Sequence, residues 1–428
     1  MKEPERSSKM GMTLAEKILA KASGRDQVRP GEFITAKIDL AMCHEGLGMG
    51  VSDGFRGAGA QRVWDAGKVV CLLDHYVPAP TVKTAEMHKQ IREDVRDFGI
   101  EHYYGESEGV CHQVLVEKGH VLPGRLIVGT DSHTPTYGAL GAAGTGIGFS
   151  EMAYVLATGE LWFRVPETIK LEIAGALSPL VMAKDVILAI AGRYGAEAAQ
   201  YKSVEFTGPA VEKMSVASRM TMSNMSAEIG AKFGFVAPDE TTIAYLREIT
   251  DQPFTPLKAD ADALYEQTYS IEVTGLEPQV AIPYSVDNVK PISELEDVVI
   301  NQAVLGSCTN GRLEDLQVAA DILRGRAVHP DVRLLVVPAS KTVYRNAMER
   351  GLLNVFLAAN AIICNPSCGP CFGQHMGQLA SGEVCVASIN RNFKGRMGSD
   401  EARVYLASPA TVAASAIEGK IVDPRKYA

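Results

Sequence analysis

The run Val299-Ile300-Asn301-Gln302-Ala303-Val304-Leu305-Gly306-Ser307-Cys308-Thr309-Asn310-Gly311 sets the class of this protein. Residues 299–305 are mostly apolar and of strand length. Glycine breaks the run, a cysteine sits in the turn, and an amphipathic helical pattern occupies residues 313–323. Strand, turn and helix in that order make the repeating unit of an α/β sheet.

The unit recurs along the chain. Further apolar runs lie at 69–73, 125–128, 332–337, 361–364 and 384–388, and helical patterns at 83–98, 150–157, 182–194 and 341–351. The strand runs are continuous rather than alternating, as in parallel strands covered on both faces. Pro166 follows a helix-like stretch and precedes a new strand at 168–174, which marks a boundary. A second transition falls in the Asp-, Pro- and Tyr-rich region 251–287. The expected organisation is three α/β domains with mainly parallel sheets around a cleft, spanning 1–165, 166–270 and 271–428.

The chain has 428 residues, 46% of them hydrophobic, enough for a large core, and a net charge of −9. That balance argues against a nucleic-acid backbone as partner. It leaves room for a small anion gripped by a few arginines. Residues 1–14 are charged and lack the apolar stretch of a secretion leader, so a cytoplasmic protein is expected. Residues 351–382 contain no Lys, Arg, Asp or Glu, yet Asn354, Asn360, Asn365, Pro366, Gly369, Pro370 and Gln374 rule out a lipid-exposed helix. The stretch reads as a buried strand ending in a buried loop, with no membrane as partner. Disulfides are not expected among the eight cysteines. Cys71 and Cys385, inside apolar runs, read as core residues.

Chemistry gathers past the strand ends. Cys308 follows one strand run; Cys368-Gly369-Pro370-Cys371 follows another. Ligands of open α/β sheets collect at that edge. Gly and Pro let the backbone wrap closely around a sulfide cluster, and three thiolates leave one of four irons open as a Lewis acid. A lone C-x-x-C is also compatible with a redox pair, a zinc half-site or buried small residues. Cys364, Cys368 and Cys371 also carry the C-x3-C-x2-C spacing of radical SAM enzymes, although this triplet lies near the C-terminus and Cys364 reads as the buried end of a strand. Asp74-His75, His112 and Asp131-Ser132-His133 stand at strand ends or turns. A histidine beside an acid can be held protonated to serve a leaving hydroxyl. Any one of them alone is more often structural. Arg391 and Arg396 suit bidentate carboxylate binding. The glycine-rich segment 138–148 fails the dinucleotide fingerprint because Phe149 takes its last position, and reads as a tight turn packing a helix start.

Four motifs in order, Asp131-Ser132-His133-Thr134, Gly306-Ser307-Cys308-Thr309-Asn310, Cys368-Gly369-Pro370-Cys371 and Asn390-Arg391-Asn392-Phe393-Lys394-Gly395-Arg396, resemble the aconitase superfamily. Within it the chain is most similar to large subunits of the 3-isopropylmalate dehydratase and homoaconitase type, from about Thr13 onward. The resemblance implies one [4Fe–4S] cluster per subunit on Cys308, Cys368 and Cys371, with one iron free of cysteine and Asn224 and Asn390 as neighbours. It implies the catalytic pairs Asp74–His75, His112–Asp131 and His133–Glu228, and Ser132, Arg391 and Arg396 as substrate-binding residues. The implied reaction is reversible dehydration and rehydration of a hydroxy acid, foremost 3-isopropylmalate in leucine biosynthesis, with homocitrate or dimethylmalate as alternatives. A separate small subunit with the swivelling domain, in a heterodimer or heterotetramer, would complete the site. Two departures stand out. Cys43-His44-Glu45-Gly46-Leu47-Gly48 replaces the usual Asp-Gly-Thr or Asp-Ala-Thr loop, and Thr136 replaces the asparagine of aconitases proper, which argues against citrate. Two readings of other classes, an iron–sulfur RNA-binding sensor and the radical enzyme, differ in needing a basic surface and Cys364 respectively.

Overall fold

A computed structural model describes residues 11–428. Most of the expected leaderless stretch, residues 1–10, lies outside the described residues. Strands and helices alternate through three larger sheets. The first is all parallel, in the order His102–Tyr104, Val69–Leu72, Leu40–Cys43, Leu126–Gly129, Ala143–Gly146. The second is also parallel: Phe233–Val236, Ser203–Thr207, Thr168–Ala174, Gln267–Glu272. The third has seven strands. Arg403–Leu406, Val384–Ala387, Gln302–Gly306, Arg333–Val337 and Ile362–Ile363 run parallel, and Gln279–Ala281 and Val289–Pro291 add an antiparallel edge. A ribbon of Phe33–Lys37 against Glu160–Arg164 closes the first region.

The continuous apolar strands are buried along their length, as parallel strands with helices on both faces require. Each fully buried Val, Leu or Ile contributes roughly 1.5–3 kcal/mol relative to exposure. Cys71 and Cys385 are core residues with no measurable exposure. Helix Leu313–Leu323 starts and stops where its pattern does. Gln267–Glu272 pairs with Thr168–Ala174 and so ties residues on both sides of position 270 to the second sheet.

Three local expectations need correction. Residues 351–382 open not with a strand but with helix Leu352–Ala358, whose Leu352, Leu353 and Phe356 face the core. The preceding helix stops at Glu349, and Gly351, at φ 74°, starts the new one. Only Ile362–Ile363 is strand, and it lies at the sheet edge, so Cys364 is half-buried rather than buried. The segment 138–148 contains the edge strand Ala143–Gly146 in addition to its turn. No helix among the described residues is long and apolar enough to cross a membrane.

Candidate active site

Strand ends supply most of the site. His44 and Glu45 follow Leu40–Cys43; Asp74 and His75 follow Val69–Leu72; Asp131, Ser132 and His133 follow Leu126–Gly129. From the third sheet, Cys308 follows Gln302–Gly306, Cys368 and Cys371 follow Ile362–Ile363, and Asn390, Arg391 and Arg396 follow Val384–Ala387. All lie at the C-terminal edge of a parallel sheet, where crossovers leave a crevice. Helix Cys111–Glu117 brings His112 with its first turn. Helix Val216–Met225 and the turn Ser226–Ile229 bring Asn224 and Glu228 from the second region. The histidines, Asp131, Ser132, the three cysteines, Asn390 and both arginines line one cleft. Asp74, Asn224 and Glu228 stand buried behind its wall.

Three imidazoles meet three carboxylates. His75 Nδ1 lies 2.6 Å from Asp74 Oδ1, His112 Nε2 lies 2.7 Å from Asp131 Oδ1, and His133 Nε2 lies 2.7 Å from Glu228 Oε1. Asp131 is shared: its Oδ2 is 3.4 Å from His75 Nε2, and its Oδ1 accepts the backbone N–H of His133 at 2.7 Å. Burial works to lower the pKa of His75, but the charges of Asp74 and Asp131 outweigh it and hold it well above the usual value. Burial would raise Asp131, yet His112, His133 and His75 hold it well below. His133 is raised: burial and Arg391 oppose its charge, and hydrogen bonds to Asp131 and Glu228 overcome them. Arg391 Nε donates to Glu228 Oε1 at 2.8 Å, which leaves the outer edge of its guanidinium for a ligand.

The thiols form the floor. Asn224 Nδ2 is 3.3 Å from Cys308 Sγ, and Asn390 Oδ1 is 3.4 Å from Cys371 Sγ and 3.8 Å from Cys308 Sγ. The two asparagines hydrogen-bond each other, and Arg396 Nη2 reaches to 3.6 Å from Cys371 Sγ. A hydrogen bond from Cys368, against burial and with help from Arg396, holds Cys371 well below the usual thiol range. Cys368 is correspondingly raised, and burial beside Cys371 pushes Cys308 up to about 11. Gly306, at φ 143°, lets the chain turn Cys308 into the cleft; a Cβ there would meet Val337 O at 2.2 Å. Cys364 is not on the cleft wall.

The donor set fits a cluster better than a single ion. Among the described residues, the groups with ligand atoms mutually within 4.8 Å are His44–His75–Asp131 and Glu45–Asp74–His75. Both are spoken for. His44 Nδ1 accepts from Gly46 N at 3.0 Å and its Nε2 donates to Thr130 O at 3.1 Å; Glu45 Oε1 accepts three backbone N–H groups. The three thiols are not such a group. They stand too far apart to share one ion, whose bonds of ~2.3 Å draw its thiolates together, whereas a cubane spreads them over its corners.

Residues of the two departures from the family pattern fall at or beside the site. His44 lies against His75 in a tilted ring contact, centroids 4.5 Å apart, and Glu45 is fully buried beneath the Asp74–Tyr76 backbone. Thr136 does not line the cleft: its hydroxyl donates to His133 O at 2.6 Å and accepts from Asn224 Nδ2 at 2.9 Å.

Parallel sheets present histidine–carboxylate pairs, thiols and arginines along one edge, a set of groups suited to proton transfer and carboxylate binding. The model of the aconitase family (aconitate hydratase) matches residues 16–419. The chain belongs to the aconitase family and is a hydro-lyase. Among its relatives are 3-isopropylmalate dehydratase large subunit 1 of Methanopyrus kandleri, 55% identical over 98% of this chain and 100% of that one, and a probable 3-isopropylmalate dehydratase large subunit of Methanothermobacter thermautotrophicus, 53% identical over 97% and 99%. A probable methanogen homoaconitase large subunit of the same organism is 50% identical over 97% and 98%. The family implies a [4Fe–4S] cluster.

Proposed function

We propose that this chain is the cluster-bearing large subunit of a cytoplasmic 3-isopropylmalate dehydratase, which moves a hydroxyl between adjacent carbons by elimination and re-addition of water. Three units, 1–165, 166–270 and 271–428, surround the site, the second reaching just past 270 through the strand Gln267–Glu272. The observation that carries the reading is the convergence of three thiols, three histidine–carboxylate pairs and two arginines on one cleft. Relatives named for this activity, at 53–55% identity, favour 3-isopropylmalate over homocitrate, the substrate class of the relative at 50%.

Cys308, Cys368 and Cys371 would hold the cluster, with Asn224 and Asn390 donating to or bridging their sulfurs. When bound, the cluster supplies Lewis acidity through an iron free of cysteine. The chain's own groups do the rest. Arg391, fixed by Glu228, and Arg396, beside Cys371, grip a carboxylate, and Ser132 at the rim adds a hydroxyl contact. His75, kept protonated by Asp74 and Asp131, gives its proton to the departing hydroxyl and recovers one from the incoming water. His112 and His133 hold Asp131 and Glu228 charged and in place. The base that removes the carbon-bound proton comes from a small subunit closing over the cleft, in a heterodimer or heterotetramer.

The test is an anaerobic assay of the reconstituted chain with its small subunit on 3-isopropylmalate, homocitrate and dimethylmalate. The highest kcat/KM is expected for 3-isopropylmalate. A preference for homocitrate reassigns the substrate, and turnover of none of the three overturns the proposal.

A further inference from the structure

Among the described residues the buried cations fall into two kinds. Arg219, fully buried, meets Asp239 with a two-pronged ion pair, Nη1 to Oδ1 at 2.6 Å and Nη2 to Oδ2 at 2.7 Å. That is the usual way to keep a charge out of water. Arg312 and Lys184 are equally buried, at 3% and 0% exposure, and neither has a carboxylate within ion-pair reach among the described residues. Their donors go to backbone carbonyls instead. Arg312 Nη2 donates to Cys308 O at 2.6 Å and Nη1 to Thr309 O at 2.5 Å. Lys184 Nζ donates to Ile389 O at 2.5 Å and Ser388 O at 3.1 Å. Asp315, the nearest acid to Arg312, spends its carboxylate on Asn310 Nδ2 and the Arg312 backbone N–H, and burial raises it to about 6. Asp185 is occupied by the N–H groups of Met182 and Gln279.

Both cations reach backbone carbonyls of the segments that form the thiol floor. One holds the carbonyls of Cys308 and its neighbour; the other holds the carbonyl just before Asn390, whose amide bridges Cys308 and Cys371. A buried charge without a partner costs several kcal/mol, so two of them at one spot call for an anion there. Three thiolates around an iron–sulfur cube carry net negative charge; burial pulls the Lys184 ammonium down to about 7, and negative charge at Cys371 and Cys308 opposes that loss of its proton.

We propose that Arg312 and Lys184 are positioning residues that supply the counter-charge of the cluster, holding the backbone of its cradle and setting how firmly the cluster is retained. This rests on the reading of Cys308, Cys368 and Cys371 as cluster ligands.

The experiment uses the full chain, reconstituted anaerobically with iron and sulfide, and the variants Lys184→Met, Arg312→Gln and Arg312→Lys. Two quantities are read: the rate at which a chelator bleaches the cluster's visible absorbance, and the melting temperature of the metal-free protein. Lys184→Met and Arg312→Gln are expected to bleach about tenfold faster than wild type, the scale of losing one nearby buried charge, while Arg312→Lys stays within about threefold. Metal-free Lys184→Met should melt at or above the wild-type temperature, because an unpaired buried charge is gone. Bleaching at the wild-type rate in both neutral variants overturns the proposal, as does equal bleaching of Arg312→Lys and Arg312→Gln. A metal-free Lys184→Met that melts well below wild type, or does not fold, also overturns it, since the charge then serves the fold alone. If wild type itself takes up no cluster, it is the ligand assignment that fails.

Discussion

The carboxylate of Glu45 lies directly beneath His75: its Oε1 is 2.9 Å from the His75 backbone nitrogen. The same oxygen accepts the N–H groups of Asp74 at 3.1 Å and Tyr76 at 3.0 Å, so one buried charge fixes the loop that carries Asp74 and His75. Burial works to raise the pKa of Glu45, but His88, His75, His44 and the Tyr76 N–H hold it down to about 2. A depressed carboxylate contributes stability that is complete above its unfolded pKa of roughly 4.3 and lost as pH falls through the folded value. Glu45→Gln should therefore lower the unfolding free energy by about 2 kcal/mol near neutral pH. The gap to wild type should narrow between about pH 4 and about pH 2. Urea titrations across that range check it; a gap that stays constant in acid removes the charge from the explanation.

Asp74→Asn takes away the foremost charge that keeps His75 protonated. The variant's His75 should lose its proton at lower pH, so the alkaline limb of the kcat/KM profile should move to lower pH. The maximum should fall by ~10²-fold or more, the scale of losing one proton-transfer partner. A profile that drops without shifting would assign Asp74 to holding the loop through its 2.7 Å bond to Cys111 N.

Cys308→Ser should abolish visible cluster absorbance after anaerobic reconstitution, whereas Cys364→Ser should retain most of it. Cys364 stands half-buried at a sheet edge, off the cleft that the other three thiols line. Absorbance lost on Cys364→Ser and kept on Cys308→Ser would revive the radical-enzyme reading.

The cluster-loaded chain alone should be folded and nearly inactive, and titration of the small subunit should restore turnover by ~10²–10⁴-fold, as supplying a missing base does. Full turnover without the partner would mean that this chain carries its own base.

Legibility in the sequence followed the range of the forces involved. Helix Leu313–Leu323 and strand Thr168–Ala174 could be read to the residue, because periodicity and flanking breakers are local. Helix Leu352–Ala358 could not. Leu-Leu-Asn-Val-Phe-Leu-Ala is apolar on nearly every side, and a short apolar run does not by period alone distinguish a strand from a helix. The histidines, cysteines and arginines of the cleft were visible through their motifs. Glu45 stood out only within a loop that departs from the family pattern; its role was hidden, because it lies in three N–H groups of a loop 29 to 31 residues away. Lys184 was likewise hidden inside an ordinary amphipathic pattern, and only the placement of Ile389 O against it gives it a role. Arg312, one residue past the Gly306–Gly311 turn, had a usable signal in that adjacency.

The Cys368 backbone N–H donates to the Asp74 carbonyl at 2.9 Å, so the thiol loop is fastened to the histidine loop across most of the polypeptide. On the ribosome, the half bearing His75, His112 and His133 emerges long before Cys308, and Cys368 and Cys371 later still. The histidine–carboxylate pairs are therefore synthesised well before the thiols that complete the cleft. Under the proposed ligand set, a fragment that stops before Cys368 lacks two of the three thiols that would hold the cluster.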